Sequence, residues 1–190
     1  MPDLAASLCL SIEVSEEEAE RLLLCSRQQT LAARQSLWHA GDHPAWLVQV
    51  CSGLLRARIS TDEGREYIKE FYWERDEFLD FHHLLTGTPA RYDVEAIEPC
   101  LLRLFPLSRL LQDPLWPRWY QALLERQLRV KEEKEWLLLT ADPQTRYCHF
   151  LEHYPQLDIR LKDNQIAAYL GITPISLSRI RRRLKTLNQS

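Results

Sequence analysis

The sequence predicts an α+β protein, in which a β-rich N-terminal body precedes a long central helix and a smaller helical region. From residue 28 to residue 109, short runs of alternating apolar and polar residues are separated by Gly, Asp and Pro turn signals, as in a small β-barrel or sandwich. Residues 115–140 contain no glycine and are rich in helix formers. The last thirty residues hold two apolar helical patterns on either side of Gly171.

The composition is that of a globular protein with no membrane-spanning segment. Hydrophobic residues make up 45% of the 190-residue chain and charged residues 27%, and no apolar run is long enough to cross a bilayer. The N-terminus shows no export signal, so we expect a cytoplasmic location and no membrane partner. The five cysteines are scattered without a CxxC pair, which argues against a disulfide framework or a standard zinc site.

The predicted elements of the N-terminal body begin with a capped helix. Ser15 is its N-cap, and Glu18 three residues later completes a capping box. Strand-like segments follow between the turn signals, and Pro106 ends this region. The predicted strands are residues 46–50, 54–60, 66–72, 92–97 and 101–105.

The long helix carries two apolar stripes, which favours two neighbours for it. The first stripe alternates spacings of four and three, as in the seam between paired helices, and we expect it to face a second copy of the chain. It consists of Trp116, Tyr120, Leu123, Gln127, Val130, Lys134 and Leu137. Gln127 and Lys134 are polar and would fix the register. The second stripe, Trp119, Leu124 and Leu128, would pack on the β body; in the alternative, the helix packs only there.

The C-terminal pattern predicts a helix-turn-helix. In the first helix, Ile166, Ala167 and Leu170 share one face, and a glycine ends the helix. Thr173 caps the second helix and Pro174 takes its first position, where a missing N–H costs nothing. The inward stripe of the second helix is Ile172, Leu177, Ile180 and Leu184. The outward face carries Ser176, Ser178, Arg179, Arg182 and Arg183. Such a face can donate hydrogen bonds to phosphates and base edges.

Charge also favours a polyanionic partner at this end of the chain. Residues 160–190 contain seven basic residues and one acid, a net charge of +6, which leaves −9 for the other residues because the whole chain carries −3. A basic tail on an acidic body is typical of proteins that bind nucleic acid through one end. The alternative is an ordinary helical hairpin whose arginine face is solvated.

We find no sequence pattern for catalysis. The chain has no GxSxG motif, no P-loop and no paired metal ligands, so no catalytic residue is assigned. His149 and His153 lie four residues apart on a predicted helix, a spacing that can ligate metal. Because the neighbouring sequence supplies no third ligand, no metal is expected.

Several phrases resemble the Crp/Fnr family of bacterial transcription regulators over nearly the whole chain. They are His39-Ala-Gly41-Asp42, Val50-Cys-Ser-Gly53-Leu54, Asp62-Glu-Gly64-Arg-Glu66, Leu84-Leu-Thr-Gly87-Thr-Pro89, Leu107-Ser-Arg-Leu-Leu111 and residues 165–180. The resemblance implies a cyclic-nucleotide-binding-like β-roll for sensing over residues 1–112, a dimerisation helix over 113–141 and a DNA-binding helix-turn-helix over 142–190. Family members usually continue into a β-hairpin wing, and the few residues after Leu184 lead us to expect no full wing.

The resemblance breaks at the effector pocket. Cyclic-nucleotide binders of the family keep Gly-Glu before the Leu-Leu-Thr-Gly phrase and Arg-Ser-Ala after it, where this chain has Asp80-Phe81 and Ala90-Arg91-Tyr92. Without the ribose and phosphate contacts, a degenerate pocket that does not bind cyclic AMP or GMP is expected. The side chains that would line a pocket for another small molecule are Phe81, His82, Arg91 and Tyr92.

No cofactor is assigned. Cys9 and Cys25 lack the close spacing of the iron–sulfur members of the family. Pro2, His82 and His83 are candidate ligands for the haem-binding type, but we expect the two histidines to lie at the surface, facing opposite ways on an extended segment.

The resemblance also implies a role for each outward residue of the second helix. The phosphate contacts are Thr173, Ser176, Arg182 and Arg183, and the base-reading positions are Ile175, Ser178 and Arg179. The implied function is a homodimer that binds a palindromic double-stranded DNA operator, with RNA polymerase as a further candidate partner. The alternative is an orphan small-molecule or redox sensor that acts through protein partners.

Overall fold

A computed structural model describes residues 10–187 and confirms the α+β architecture. These residues fall into two compact units. The first comprises the chain up to Ile59 together with Glu70–Gln127, and the second comprises Ser60–Lys69 together with the chain from Leu128 onwards. Pro2 and Cys9 lie outside the described residues, as does the extreme C-terminus where a wing would follow. None of the helices within residues 10–187 has the length and hydrophobicity needed to cross a bilayer.

The N-terminal body is built from two four-stranded antiparallel sheets. Its strands are β1 (Arg27–Leu31), β2 (Ser36–Trp38), β3 (Trp46–Ser52), β4 (Leu55–Ser60), β5 (Glu66–Tyr72), β6 (Glu77–Phe78), β7 (Asp93–Ala96) and β8 (Cys100–Pro106). One sheet has the order β1-β8-β3-β6 and the other β2-β7-β4-β5. Helices α1 (Glu16–Cys25), α2 (Phe81–Thr86) and α3 (Leu107–Leu110) accompany them. The sheets enclose a core that includes Val48, Ala57, Phe78, Val94 and Leu102.

The predicted strands are confirmed to within two residues at each end, because alternation and turn residues mark them clearly. The capping box of α1 is also present, with reciprocal hydrogen bonds between Ser15 and Glu18. Strands β1, β2 and β6 were not predicted, since each is short or polar. The expectation of an extended segment at His82 and His83 is wrong, because both lie in α2, which Asp80 caps through a 3.1 Å bond from the His83 N–H.

Helix α4 (Trp116–Thr140) confirms the predicted long helix. Its first half covers a second apolar cluster that contains Leu22 of α1, Phe105 of β8, and Trp119 and Leu123 of α4 itself. The indole Nε1 of Trp119 donates to the buried carboxylate of Glu77 at 3.1 Å, which satisfies two polar groups inside the core.

The stripe of α4 that was expected to face a second chain instead packs on its own chain. Leu123 is buried, Gln127 donates to Glu70 at 3.3 Å, and the Lys134 ammonium donates to the carbonyl oxygens of Ile68 and Lys69. The polar positions therefore have intrachain partners, and their proposed role in register is wrong.

The second stripe of α4, which was expected to be buried on the β body, is mostly exposed. Leu124 and Leu128, which were expected to pack on the β body, are 39% and 56% exposed. Of this stripe, Trp119 alone is buried as expected. The exposed leucines are spaced four apart and form an apolar stripe along one side of the helix.

The C-terminal helices are α5 (Pro143–His153), α6 (Pro155–Arg160), α7 (Asp163–Leu170) and α8 (Pro174–Leu187). The predicted helix-turn-helix corresponds to α7 and α8 and is confirmed. Helix α8 continues for three residues beyond Leu184, the last apolar position of the predicted stripe. Helix α6 is not among the predicted elements; Pro155 takes its first helical position, where a missing N–H costs nothing.

Candidate nucleic-acid interface

The turn between α7 and α8 is set by Gly171. This glycine has φ +67° and ends α7, and its N–H donates to the carbonyl of Ala167. Glycine adopts this left-handed backbone conformation without strain, whereas a residue with a Cβ is strained in it. The buried Ile166, Ala167 and Leu170 give α7 its inner face.

Helix α8 begins as the sequence predicts. The Thr173 hydroxyl accepts from the N–H of Ser176 at 3.1 Å, and Pro174 takes the first helical position. Leu177 and Ile180 are buried on the inner face, so the register of the helix is fixed by packing. That register decides which side chains point away from the protein.

The outward face of α8 combines cationic and apolar side chains. Arg179 and Arg182 are exposed, and within the part of the chain that the structure describes neither forms an ion pair. Ser178 is exposed on the same face, and Ile175 is 66% exposed. This face therefore presents two guanidinium groups, a hydroxyl and one apolar side chain to solvent.

The remaining predicted interface residues lie at the edges of this face. The Thr173 and Ser176 hydroxyls are 2.9 Å apart and pair with each other at the start of α8. Arg183 is exposed and donates to the side-chain oxygen of Gln144 on α5 at 3.1 Å. Arg183 is therefore positioned by a neighbouring helix, unlike Arg179 and Arg182.

Arg181 has a structural role that sequence reasoning did not identify. Its guanidinium donates to the Tyr147 hydroxyl at 2.9 Å, to Asp163 at 2.7 Å and to Asp158 at 2.5 Å, which links α8 to α5, α7 and α6. Burial, reinforced by Asp158, raises the pKa of Tyr147 to about 12, so the phenol stays neutral and donates to Asp158. Arg181 lies four residues after Leu177 and three before Leu184, so helical periodicity places it on the inner side of the helix. That spacing is the feature of the sequence from which its structural role could have been predicted.

The residues proposed for an effector pocket have separate surroundings. Phe81 packs against the cluster beneath α4, with its ring centroid 6.1 Å from that of Tyr120. His82 accepts or donates through Nε2 at 2.9 Å from the Thr88 hydroxyl. Tyr92 is buried in the core between the sheets, 6.2 Å from the ring of Trp38, whereas Arg91 is exposed.

Ala90, which the resemblance places at the phosphate-binding arginine of the cyclic-nucleotide binders, is buried and held by its backbone. Its N–H donates to the carbonyl of Asp42 at 2.8 Å, and its carbonyl accepts from Gly41 at 2.8 Å. The only guanidinium adjacent to this position in the sequence, Arg91, points to solvent.

Comparison with known proteins agrees with this architecture. A model of the cyclic nucleotide-binding domain family matches residues 28–112. The chain is 22% identical over 192 residues to the fumarate and nitrate reduction regulatory protein of Vibrio cholerae, covering 92% of this chain and 76% of that protein. These two matches together span the sheets, α4 and the helix-turn-helix.

Solved structures share the fold. FixK2 from Bradyrhizobium japonicum superposes with a TM-score of 0.76 at 24% identity, covering 86% of each chain. The c-di-GMP responsive global regulator CLP of Xanthomonas campestris gives a TM-score of 0.72 at 19% identity, covering 89% of this chain and 91% of that one. The match to a cyclic nucleotide-binding domain over residues 28–112 and the fold shared with these solved structures agree with the Crp/Fnr resemblance of the sequence.

Proposed function

We propose that this regulator binds double-stranded DNA sequence-specifically by inserting the outward face of α8 into the major groove. The proposal rests on two guanidinium groups that form no ion pair within residues 10–187: Arg179 and Arg182, which lie four and seven residues after the exposed Ile175 on one helix face. Cationic groups without an intrachain partner are available to phosphates and base edges at no cost in broken ion pairs.

Base reading is assigned to the first two turns of α8. Arg179 donates two N–H groups of its guanidinium to O6 and N7 of a guanine, the commonest specific contact in the major groove. Ile175 packs on a thymine methyl group, for which an exposed apolar side chain is suited. Ser178 lies between them and can donate to or accept from a base edge.

Phosphate contacts come from the edges of the face. Thr173 and Ser176 lie at the N-terminal end of α8, where free N–H groups and the helix dipole favour an anion. Arg182 and Arg183 follow the backbone further along the helix. These contacts set the orientation of the helix and carry no sequence information themselves.

The active form is a homodimer that pairs through the exposed stripe of α4. Leu124 and Leu128 are spaced as the buried positions of two paired helices are, and a symmetric partner presents the same leucines. Two copies of α8 then enter successive major grooves of a palindromic operator. RNA polymerase is a further candidate partner. The proposed compartment is the cytoplasm, where the operator DNA and the polymerase are found.

The regulator does not respond to cyclic AMP. The buried Ala90 offers no charge to a cyclic phosphate, and Phe81, which the resemblance places at the ribose-binding Glu, cannot accept a hydrogen bond. Each hydrogen bond to a charged phosphate contributes about 1.5–3 kcal/mol to binding. A cyclic nucleotide that lacks these bonds therefore loses several kcal/mol of affinity. The N-terminal body therefore acts without this ligand, and no cofactor is assigned.

Footprinting on genomic fragments tests the proposal against a sensor that acts only through protein partners. The expected result is discrete protected stretches, each covering two grooves on one side of the duplex. The double variant Arg179→Ala, Arg182→Ala is expected to lose protection, and Arg129→Ala, which alters an exposed arginine of α4, serves as the control. Absence of protection by the wild-type protein at low salt would contradict sequence-specific binding.

A further inference from the structure

We propose that Glu133, His149 and His153 form a binding site for a divalent transition-metal ion, with Zn²⁺ as the best-matched ion. Glu133 lies in α4, and the two histidines lie in α5. One donor atom from each residue lies within 4.8 Å of the other two. Nothing in the proposed DNA interface uses these three side chains.

The geometry brings the donors to one point from two helices. His149 and His153 are one turn apart on α5, and their rings are stacked with centroids 3.9 Å apart and planes 16° apart. The Nε2 atom of His149 is 2.8 Å from the Glu133 carboxylate. Two histidines at this spacing on one helix, joined by an acidic ligand from elsewhere, form a recurring arrangement in zinc sites.

The hydrogen bonds of the second histidine prepare it for coordination. The Nδ1 atom of His153 is 3.0 Å from the carbonyl oxygen of His149, so Nδ1–H donates to that oxygen. This leaves the lone pair on Nε2, which is the coordinating nitrogen. A backbone carbonyl that holds the other ring nitrogen is the usual support for a metal-bound histidine.

An ordinary ion pair explains only part of the arrangement. Hydrogen bonding between Glu133 and His149 accounts for two of the donors, but not for a second imidazole stacked over the first within reach of both. On binding, the ion takes the place of the proton shared by Glu133 and His149, and ligand distances of about 2.0–2.2 Å follow from small side-chain rotations.

The donor set selects the class of ion. Two imidazoles and one carboxylate suit zinc and its neighbours in the first transition row, whereas magnesium and calcium prefer all-oxygen sites. The site is partly open to water, since Glu133 and His153 are exposed and His149 is half-buried. Water would complete the coordination sphere.

Metal binding would join the end of α4 to the DNA-binding helices. The neighbouring residue of α5, Phe150, contacts the ring of Tyr169 in α7 with centroids 5.8 Å apart. An ion that ties α5 to α4 therefore restrains the helices that position α8. The sequence did not reveal the site because Glu133 is sixteen residues before His149 and on another helix.

A zinc titration of the metal-depleted full chain, in competition with a chromophoric chelator, tests the site. We expect one equivalent of Zn²⁺ per chain, and at least about tenfold weaker binding in His153→Ala and in Glu133→Gln. Glu133→Gln keeps the shape and a hydrogen bond while removing the charged donor. His43→Ala, which removes another exposed histidine, is expected to bind as the wild type does.

Cobalt substitution supplies a second measurement that does not depend on affinity. Co²⁺ on the wild-type chain is expected to give visible d–d absorption from a nitrogen- and oxygen-ligated site, and His149→Ala is expected to abolish it. Circular dichroism establishes that each variant is folded. Failure of the wild type to bind, or equal zinc binding and equal cobalt spectra in wild type and the ligand variants, would overturn the proposal.

Discussion

Arg181 donates from Nε to the Tyr147 hydroxyl at 2.9 Å, so the middle arginine of the run Arg181-Arg182-Arg183 holds the protein together instead of facing a partner. Its two remaining nitrogens reach Asp158 and Asp163, and all three acceptors belong to the helices around α8. Adjacent arginines of identical chemistry therefore have different roles, which the position on the helix decides.

Replacing Arg181 is expected to destabilise the protein. Arg181→Ala removes hydrogen bonds between charged groups that are about three-quarters buried and leaves Asp158 without its cation, so the free energy of unfolding is expected to fall by about 2–3 kcal/mol. Arg182→Ala, which removes a guanidinium with no ion pair among the residues that the structure describes, is expected to stay within about 0.5 kcal/mol of the wild type. Urea denaturation of both variants measures the difference, and equal stabilities would contradict the structural role of Arg181.

Arg179 and Arg183 are expected to differ in how they affect DNA binding. Arg179→Ala should weaken specific binding by about 1–3 kcal/mol and relax the preference at one base pair, because a guanine contact is lost. Arg183→Ala should weaken all sequences alike and reduce the salt dependence, because a phosphate contact is lost. Fluorescence anisotropy with the operator and with single-base variants separates these outcomes; a uniform loss in both proteins would refute the assignment.

Charge placed on the exposed stripe of α4 is expected to prevent dimer formation. Leu128→Glu would bury a carboxylate against its symmetric copy, and the dissociation constant of the dimer should rise by more than about tenfold, a change of 1.4 kcal/mol. Arg129→Glu introduces the same side chain at the next residue, on another side of the helix, and should leave the dimer intact. Analytical ultracentrifugation measures both, and an unchanged dimer in Leu128→Glu would place the interface elsewhere.

Stability is expected to depend on the protonation of Asp76. Burial raises the pKa of this carboxyl from 3.8 to about 6, although a bond from the Trp73 N–H and the charge of Arg126 oppose the rise. The folded state therefore holds the proton more tightly than the unfolded state. The stabilisation from this group is complete below about pH 4 and is lost as the pH rises through 6, by about 3 kcal/mol.

Asp76→Asn isolates this contribution because Asn does not titrate. We expect the unfolding free energy of the wild type to fall relative to that of Asp76→Asn between pH 4 and pH 6, as measured by urea denaturation at several pH values. Glu77, whose pKa is also raised by burial, remains in both proteins, so the difference between the two profiles reports Asp76 together with its interaction with Glu77. Parallel pH profiles would show that Asp76 does not titrate in this range.

The elements with strong local signals could be predicted from the sequence. Alternation located the main strands, and Gly171, Thr173 and Pro174 located the turn and the start of α8 because each imposes one backbone conformation. Helix α6 and the short strands have no comparable signal. Their conformations depend on tertiary contacts, which a single sequence does not display.

The orientation of α4 shows a different limit. Both of its apolar stripes have helical spacing, and periodicity alone does not say which one packs on the β body. The contacts of Gln127 and Lys134 with β5 decide the question, and these involve residues about sixty positions away. Glu133 could not be predicted as a third metal donor for the same reason, because it lies on a different helix from the two histidines. The outward face of α8 was predictable because a single helix supplies all of its residues.

Selection of bound sequences from a pool of random DNA duplexes tests sequence-specific binding by a dimer most directly. A dimer that binds successive major grooves is expected to enrich one short half-site in two inverted copies, with centres about 10–10.5 base pairs, one helical turn, apart. Arg179→Ala is predicted to lose the preference for one guanine in each copy. A pool that remains random, or that yields a single unpaired half-site, would contradict the account.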